Sequence, residues 1–324
     1  MNYIVFDLEW NQPSDGKKAE ERELLFEVIE IGAVKLDENL KIIGKFTQLV
    51  RPKVYKTLNW RIKNLLHITM RELEIQGKPF PEALDRFLKW CGDEEYIFCS
   101  WGIQDLTELQ RNIRYYNLKP LSTHPIPYYN IQKFFGIYIN EPTKSKSLED
   151  AVTMTGVRKG AAFHRAYDDA YYTAKVFNLI PKEIYEGNYT YDLYHLPVSE
   201  EDELTSVLED GRVERISMGF ENKNDILQTE RLTGFVCGKC GGEAGEVVLD
   251  WYSKNSHVFY GIGRCPRGHG YIEGKIRIRK NDLGLHYAEI EMKPTDEAGY
   301  LASVDRHDKY QNKEAHIDED DSEE

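Results

Sequence analysis

The sequence predicts an α/β domain followed by a small β module, and three observations carry that prediction. Apolar runs of strand length, Tyr3–Phe6 and Tyr96–Cys99, each lead into acidic residues. Other segments place apolar residues three and four apart, at Leu106, Leu109 and Ile113 and again from Ala166 to Leu179, the period of a helix buried on one face. Near the C-terminus two turns rich in Gly and Pro carry Cys237 with Cys240 and Cys265 with His269. At 324 residues the chain is long enough for two domains and a tail.

The first strand ends in Asp7-Leu8-Glu9. A strand repeats every two residues, so both carboxylates lie on one sheet face, the face that also carries Tyr3 and Val5. Two acids on the wet side of a strand are common. Two acids ending a largely buried strand repel each other unless cations neutralise them. Hard cations such as Mg²⁺ and Mn²⁺ take oxygen ligands, and a pair about 4 Å apart can stabilise both the attacking and the leaving oxygen of phosphodiester hydrolysis.

Tyr96 to Gly102 reads as a buried strand ending in a turn, with Asp105 at the start of the next helix. Asp105 suits a helix cap as well as a ligand. Gly160-Ala161-Ala162 reads as a loop, which puts His164 on the loop or first turn and Asp169 one turn into the helix from Ala166. Histidine exchanges protons near neutral pH, so His164 can take the proton of an attacking water. Asp168 is read as a first-turn acid favoured by the helix dipole.

The order Asp7-x-Glu9, Asp105, His164-x-x-x-x-Asp169 resembles the DEDDh branch of 3′→5′ exonucleases, the superfamily of RNase T and polymerase proofreading subunits. Val28–Asp37 and Phe46–Pro52 look like the second and third strands of these enzymes. His67-Ile68-Thr69 and Leu148–Ala151 with Gly156 look like their connecting segments. Trp101-Gly102 before Asp105 and His164-Arg165-Ala166 before Asp169 are similar to KapD-like bacterial exonucleases and the histone-mRNA exonuclease group. The resemblance covers roughly residues 1–180 and implies an RNase H-like mixed five-stranded sheet flanked by helices.

It further implies that Asp7, Glu9, Asp105 and Asp169 hold two Mg²⁺ or Mn²⁺ ions, with His164 as general base. The expected partner is single-stranded nucleic acid with a free 3′ end, RNA favoured over DNA, and the product a nucleoside 5′-monophosphate. Many relatives carry a Thr-rich stretch after Asp-x-Glu, where this chain has Trp10-Asn11-Gln12. Leu8, Trp10 and Asn11 are the expected substrate contacts, Trp10 by stacking on a base or else as a core aromatic. Two rivals stand beside this reading: a DNA exonuclease of repair or proofreading, and an idle module that only binds nucleic acid.

The net charge of −13 is unevenly spread. Residues 1–180 sum to +1, 181–230 to −9, 231–293 to +3 and 294–324 to −8, so acidity does not argue against a nucleic-acid partner. Residues 181–230 read as an acidic connector, with a short capped helix at Ser199–Leu204. Residues 231–293 read as a zinc ribbon. Cys237, Cys240, Cys265 and His269 match a closed tetrahedral Zn²⁺ site, with strands at Glu246–Trp251 and Gly274–Arg279. His257 and His286 compete as the fourth ligand, and a redox Cys-x-x-Cys is the alternative chemistry.

Lys275, Arg277 and Arg279 alternate along one strand face, which suits a phosphate backbone, ordinary solvation or a docked protein partner equally. Residues 294–324 read as an acidic disordered tail, ending in Asp318–Glu324. Five cysteines, no membrane-length apolar run and no secretory pattern suggest a reducing cytoplasmic location.

Overall fold

The computed structural model describes residues 1–13, 24–160, 163–243, 246–253 and 255–320. Ala161 and Ala162 of the loop before His164 and the last four residues of the tail lie outside them. The chain forms two units, Met1–Tyr194 and His195–Glu324.

The first unit is built on a mixed sheet. Its strands are β1 (Asn2–Asn11), β2 (Glu27–Leu36), β3 (Ile42–Leu49), β4 (Tyr96–Ser100), β5 (Ile126–Asn130) and β6 (Thr190–Asp192), in the order β3-β2-β1-β4-β5-β6. β1, β2 and β3 run antiparallel, β4 and β5 continue parallel to β1, and β6 closes the edge antiparallel to β5. Five strands match the expectation, and β6 is a sixth.

The alternation of β1 sorts two cores. Ile4, Phe6 and Leu8 face the helices Phe80–Cys91 and Gln104–Tyr115, while Tyr3 and Val5 face Ile131–Tyr138 and Ala166–Phe177. Helix Phe80–Cys91 buries Phe80, Ala83, Leu84, Phe87 and Cys91, and it stops at Gly92, whose φ of +80° suits a residue without Cβ. Each such fully buried large side chain contributes roughly 1.5–3 kcal/mol. Helix Ala166–Phe177 lies directly on β2: a Cβ on Gly32 would sit 2.0 Å from the backbone nitrogen of Tyr167. This close approach brings the start of that helix to the strand pair carrying Asp7 and Glu9.

The boundary expected at 180 falls instead after Tyr194. Ile180, Tyr185 and Tyr194 are buried, and the Asp192 carboxylate accepts from Thr107 Oγ1 and Gln110 Nε2, which ties β6 to the helix Gln104–Tyr115.

The second unit is larger than a ribbon. It is an antiparallel sheet ordered β11-β12-β13-β14-β8-β7, with β7 (Leu204–Val207), β8 (Val213–Ile216), β11 (Glu246–Ser253), β12 (Val258–Arg264), β13 (Tyr271–Lys280) and β14 (His286–Thr295). A separate pair, β9 (Val236–Cys237) and β10 (Gly242–Glu243), carries the first cysteine turn. The expected connector is thus corrected. Its Ser199–Asp202 capping box forms, but Leu204–Ile216 supplies two strands, and Val213 and Ile226 enter the core of this unit.

Two further expectations change. Arg277 and Arg279 both reach Glu289 on the neighbouring strand, at 3.5 and 2.7 Å, and Lys275 stands opposite Glu291. The basic row is matched by cross-strand acids, which favours ordinary sheet pairing over a phosphate track. The tail is helical from Glu297 to Asp320. Its first turns have partners that charge repulsion alone does not outweigh: Tyr300 stacks on Tyr271 at 4.5 Å, Ser303 is buried, and Arg306 pairs with Glu273 at 3.4 Å.

Gly32→Ala should lower stability by about 1–3 kcal/mol, since the clash is with backbone that no rotamer change relieves. Urea unfolding of the variant beside the wild type measures this, and an unchanged midpoint would contradict the close approach.

Candidate functional site

One cleft of the first unit gathers the predicted residues. It is lined by Asp7, Leu8, Glu9 and Trp10 of β1, by Trp101 to Asp105 after β4, and by Gln132, His164 and Asp169. β4 runs parallel to β1 and stops one residue after the Val5–Cys99 pair, so the turn after β4 opens beside the stretch of β1 that carries Asp7 and Glu9. Gly102, with φ +113°, makes that turn.

Carboxylate oxygens of Asp7, Glu9 and Asp169 lie within 4.8 Å of one another. β1 places the first two by its period, and the packing of Ala166–Phe177 on Gly32 places the third. Asp105 is buried in the same cleft but outside that close trio, its Oδ1 accepting the Leu8 N–H at 3.0 Å. His164 is exposed at the rim in a left-handed conformation, φ +70°. Its backbone N–H donates to Asp169 Oδ2 at 3.1 Å, while Asp169 Oδ1 is buried without a hydrogen-bond partner.

Burial and repulsion raise every one of these acids. Burial, then Asp105, Glu9 and Asp169, holds Asp7 well above the carboxylate range. Burial with Asp169, Glu30 and Asp105 pushes Glu9 up to about 9, partly opposed by Arg165. Burial pushes Asp105 to about 7 against the Leu8 N–H, and Asp169 to about 6 against the His164 N–H. A cluster that retains protons unless positive charge arrives, with an orphaned buried oxygen, has the donor set of a site for hard divalent cations.

The expected substrate contacts divide. Leu8 and Trp10 line the cleft, Trp10 also packing on Phe26 with ring centres 5.6 Å apart. Asn11 does not line it: it is fully buried, donating to the Thr57 carbonyl and accepting from the Asn59 N–H. Its amide is consumed by backbone, so that expectation is corrected. Gln104, Ile103 and Gln132 line the cleft unanticipated, and no spacing rule pointed to Gln132.

Glu30 is the most consequential omission. It stands opposite Glu9 across β1 and β2, is 1% exposed, and accepts both Arg165 Nε and Nη2 at 2.9 Å. An acid inside an otherwise apolar strand, Val28–Val34, was the available signal. The fork fixes the residue between His164 and Asp169.

In the second unit Cys237, Cys240, Cys265 and His269 converge within 4.8 Å. His269 Nδ1 is 3.6 Å from both Cys237 and Cys265 Sγ. His257 and His286 are outside this group, His286 Nδ1 lying instead 3.3 Å from the Glu221 carbonyl. Burial alone would raise the Cys265 thiol, but the N–H groups of His269 and Arg267 and the neighbouring thiols bring it to about 6. A thiol inclined to ionise beside two others and an imidazole suits a soft or borderline metal.

The chain is similar to known exonucleases and nucleases. The probable 3′-5′ exonuclease KapD of Bacillus subtilis (strain 168) is 25% identical over 189 residues, 56% of this chain and 84% of its own length. Among solved structures, the nuclease domain of 3′hExo, a DEDDh family member bound to rAMP, is 22% identical, with 55% of this chain and 90% of that one covered and a TM-score of 0.47. Cell-death related nuclease 4 is 19% identical, over 64% of this chain and 68% of that one, with a TM-score of 0.48. The family model described as Exonuclease, RNase_T, matches residues 4–177, so the chain belongs to that exonuclease family and is a hydrolytic nuclease.

Proposed function

We propose that this enzyme removes nucleoside 5′-monophosphates one at a time from the 3′ end of single-stranded nucleic acid. The observation that carries this is the convergence of Asp7, Glu9 and Asp169 beside His164, with one buried carboxylate oxygen unpartnered. The name of the Bacillus subtilis relative supports the 3′→5′ direction. RNA is the favoured substrate because Trp101-Gly102 and His164-Arg165-Ala166 stand as in the histone-mRNA exonuclease group.

Two Mg²⁺ or Mn²⁺ ions would be held by Asp7, Glu9 and Asp169, with Asp105 completing the set. Bound there, they would stabilise the negative charge that develops on the attacking and leaving oxygens. The protein's own groups do the rest. His164, exposed at the rim, takes the proton of the attacking water. Asp169 holds the His164 backbone, and the Glu30–Arg165 fork holds the next residue, so the imidazole is presented from a braced loop. Leu8, Trp10 and the Trp101–Ile103 turn form the walls that seat the terminal nucleotide.

A structural Zn²⁺ would be held by Cys237, Cys240, Cys265 and His269, with no open position for substrate. No helix among the described residues is long and apolar enough to cross a membrane. Three cysteines as zinc ligands and two, Cys91 and Cys99, buried as thiols suit a reducing cytoplasm.

Asp7→Ala and Asp169→Ala should each abolish cation-dependent shortening of a 5′-labelled single strand, read as loss of the descending ladder on a gel. RNA and DNA run side by side give the sugar preference, and retained activity in either variant would overturn the assignment. His164→Ala should lower turnover by roughly 10²–10⁴-fold while strand binding persists.

The raised carboxylates also fix a pH dependence. Above about pH 4 the unfolded chain loses these protons while the folded site keeps them, so cation-free protein loses stability as pH rises toward about 9, the Glu9 value. Mn²⁺ should therefore raise the melting temperature more at pH 8.5 than at pH 5.5, measured against chelator. Metal analysis should find one zinc per chain, and Cys240→Ser should diminish it.

A further inference from the structure

We propose that the segment Arg51–Arg71 is a collar that carries the nucleic-acid strand on the 5′ side of the terminal nucleotide, an inference that rests on the exonuclease reading above. Six cations, Arg51, Lys53, Lys56, Arg61, Lys63 and Arg71, lie in this stretch without one carboxylate. The surrounding residues 1–180 are almost neutral, so cations are concentrated here. An ordinary solvated helix face mixes both signs.

The collar is pinned at the end of the sheet where the carboxylates lie. Asn11 follows Glu9 by two residues, about 7 Å along a strand, and Glu27 is its register partner on β2. Glu27 is 1% exposed, and its carboxylate accepts the backbone N–H groups of Lys53, Val54 and Tyr55 at 2.6, 2.9 and 2.8 Å. Asn11 holds Thr57 and Asn59, and Tyr55 Oη donates to the Leu24 carbonyl at 2.7 Å. Two buried polar side chains thus fix the backbone from 53 to 59, which carries the exposed Lys53 and Lys56 and leads into the helix of Arg61 and Lys63.

Asn59 then caps the helix Trp60–Leu66 through Arg61 N–H. Trp60 at its start is 63% exposed, with the Arg61 guanidinium 5.3 Å over the ring. An exposed indole beside a guanidinium is a platform on which a base of any identity stacks, and the flanking cations suit phosphates. RNA and DNA share this chemistry, so both are tested.

The experiment compares kcat/KM on a strand of roughly a dozen nucleotides with that on a dinucleotide, for wild type, Trp60→Ala and the double variant Arg61→Ala/Lys63→Ala. In each variant the long-to-short ratio should fall about tenfold on RNA and DNA alike. In the double variant the slope of log KM against log salt on the long strand should flatten by about 0.7 per cation removed. An unchanged ratio, or a wild type with no preference for the long strand, would overturn the collar and leave the exonuclease reading intact. A wild type that shortens neither substrate would instead sink that reading, and the collar with it.

Discussion

Five carboxylates crowd one end of the first sheet, and the energetic problem they pose shapes what surrounds them. Asp7, Glu9, Asp105 and Asp169 share a cleft, and Glu30 lies behind Glu9. Burial and mutual repulsion work against ionisation at Asp7, Glu9, Asp105 and Asp169. Glu30 has a bidentate cation in Arg165; in the cleft, Asp105 accepts the Leu8 N–H and Asp169 the His164 N–H. A fold can hold such a cluster because two apolar layers, one on each side of β1, supply the stability that the cluster subtracts. The same repulsion makes the cleft receptive to cations.

The chemistry was legible in the sequence because it depends on local spacing. A two-residue interval on a strand gave the facing of Asp7 and Glu9, and the four-residue gap after His164 in the family motif chose Asp169 over Asp168. Cys237 and Cys240 were readable for the same reason. Residues whose roles come from distant partners were not. Glu30 and Arg165 are 135 positions apart, and Asn11 looked like a substrate contact until Thr57 and Asn59 claimed its amide. Only the folded chain shows which polar side chains are already occupied.

The second unit shows how composition misleads. Thirteen acids among residues 181–230 suggested a solvated connector, yet Val213–Ile216 pairs with β14 and Leu204–Val207 pairs with Val213–Ile216 in turn. Glu214 and Arg215 point to opposite faces of β8, and Val213 is the residue of that strand that enters the core. In β13 the alternation is plain: Ile276 and Ile278 are buried between Lys275, Arg277 and Arg279, and Glu289 pairs with both arginines. Net charge over a window reports solvent exposure on average; it does not report which alternate side chains point inward.

The short strand β6 has a consequence for where the catalytic unit can end. The family match stops at residue 177, before β6, and β5 would then be the last strand of the sheet. A chain cut there would leave the backbone of Ile126–Tyr128 unpaired and would strip Thr107 and Gln110 of the Asp192 carboxylate. An open edge of that kind invites strand addition by a second molecule. Three residues beyond the recognisable domain therefore act as its hem, keeping the sheet from growing into its neighbours.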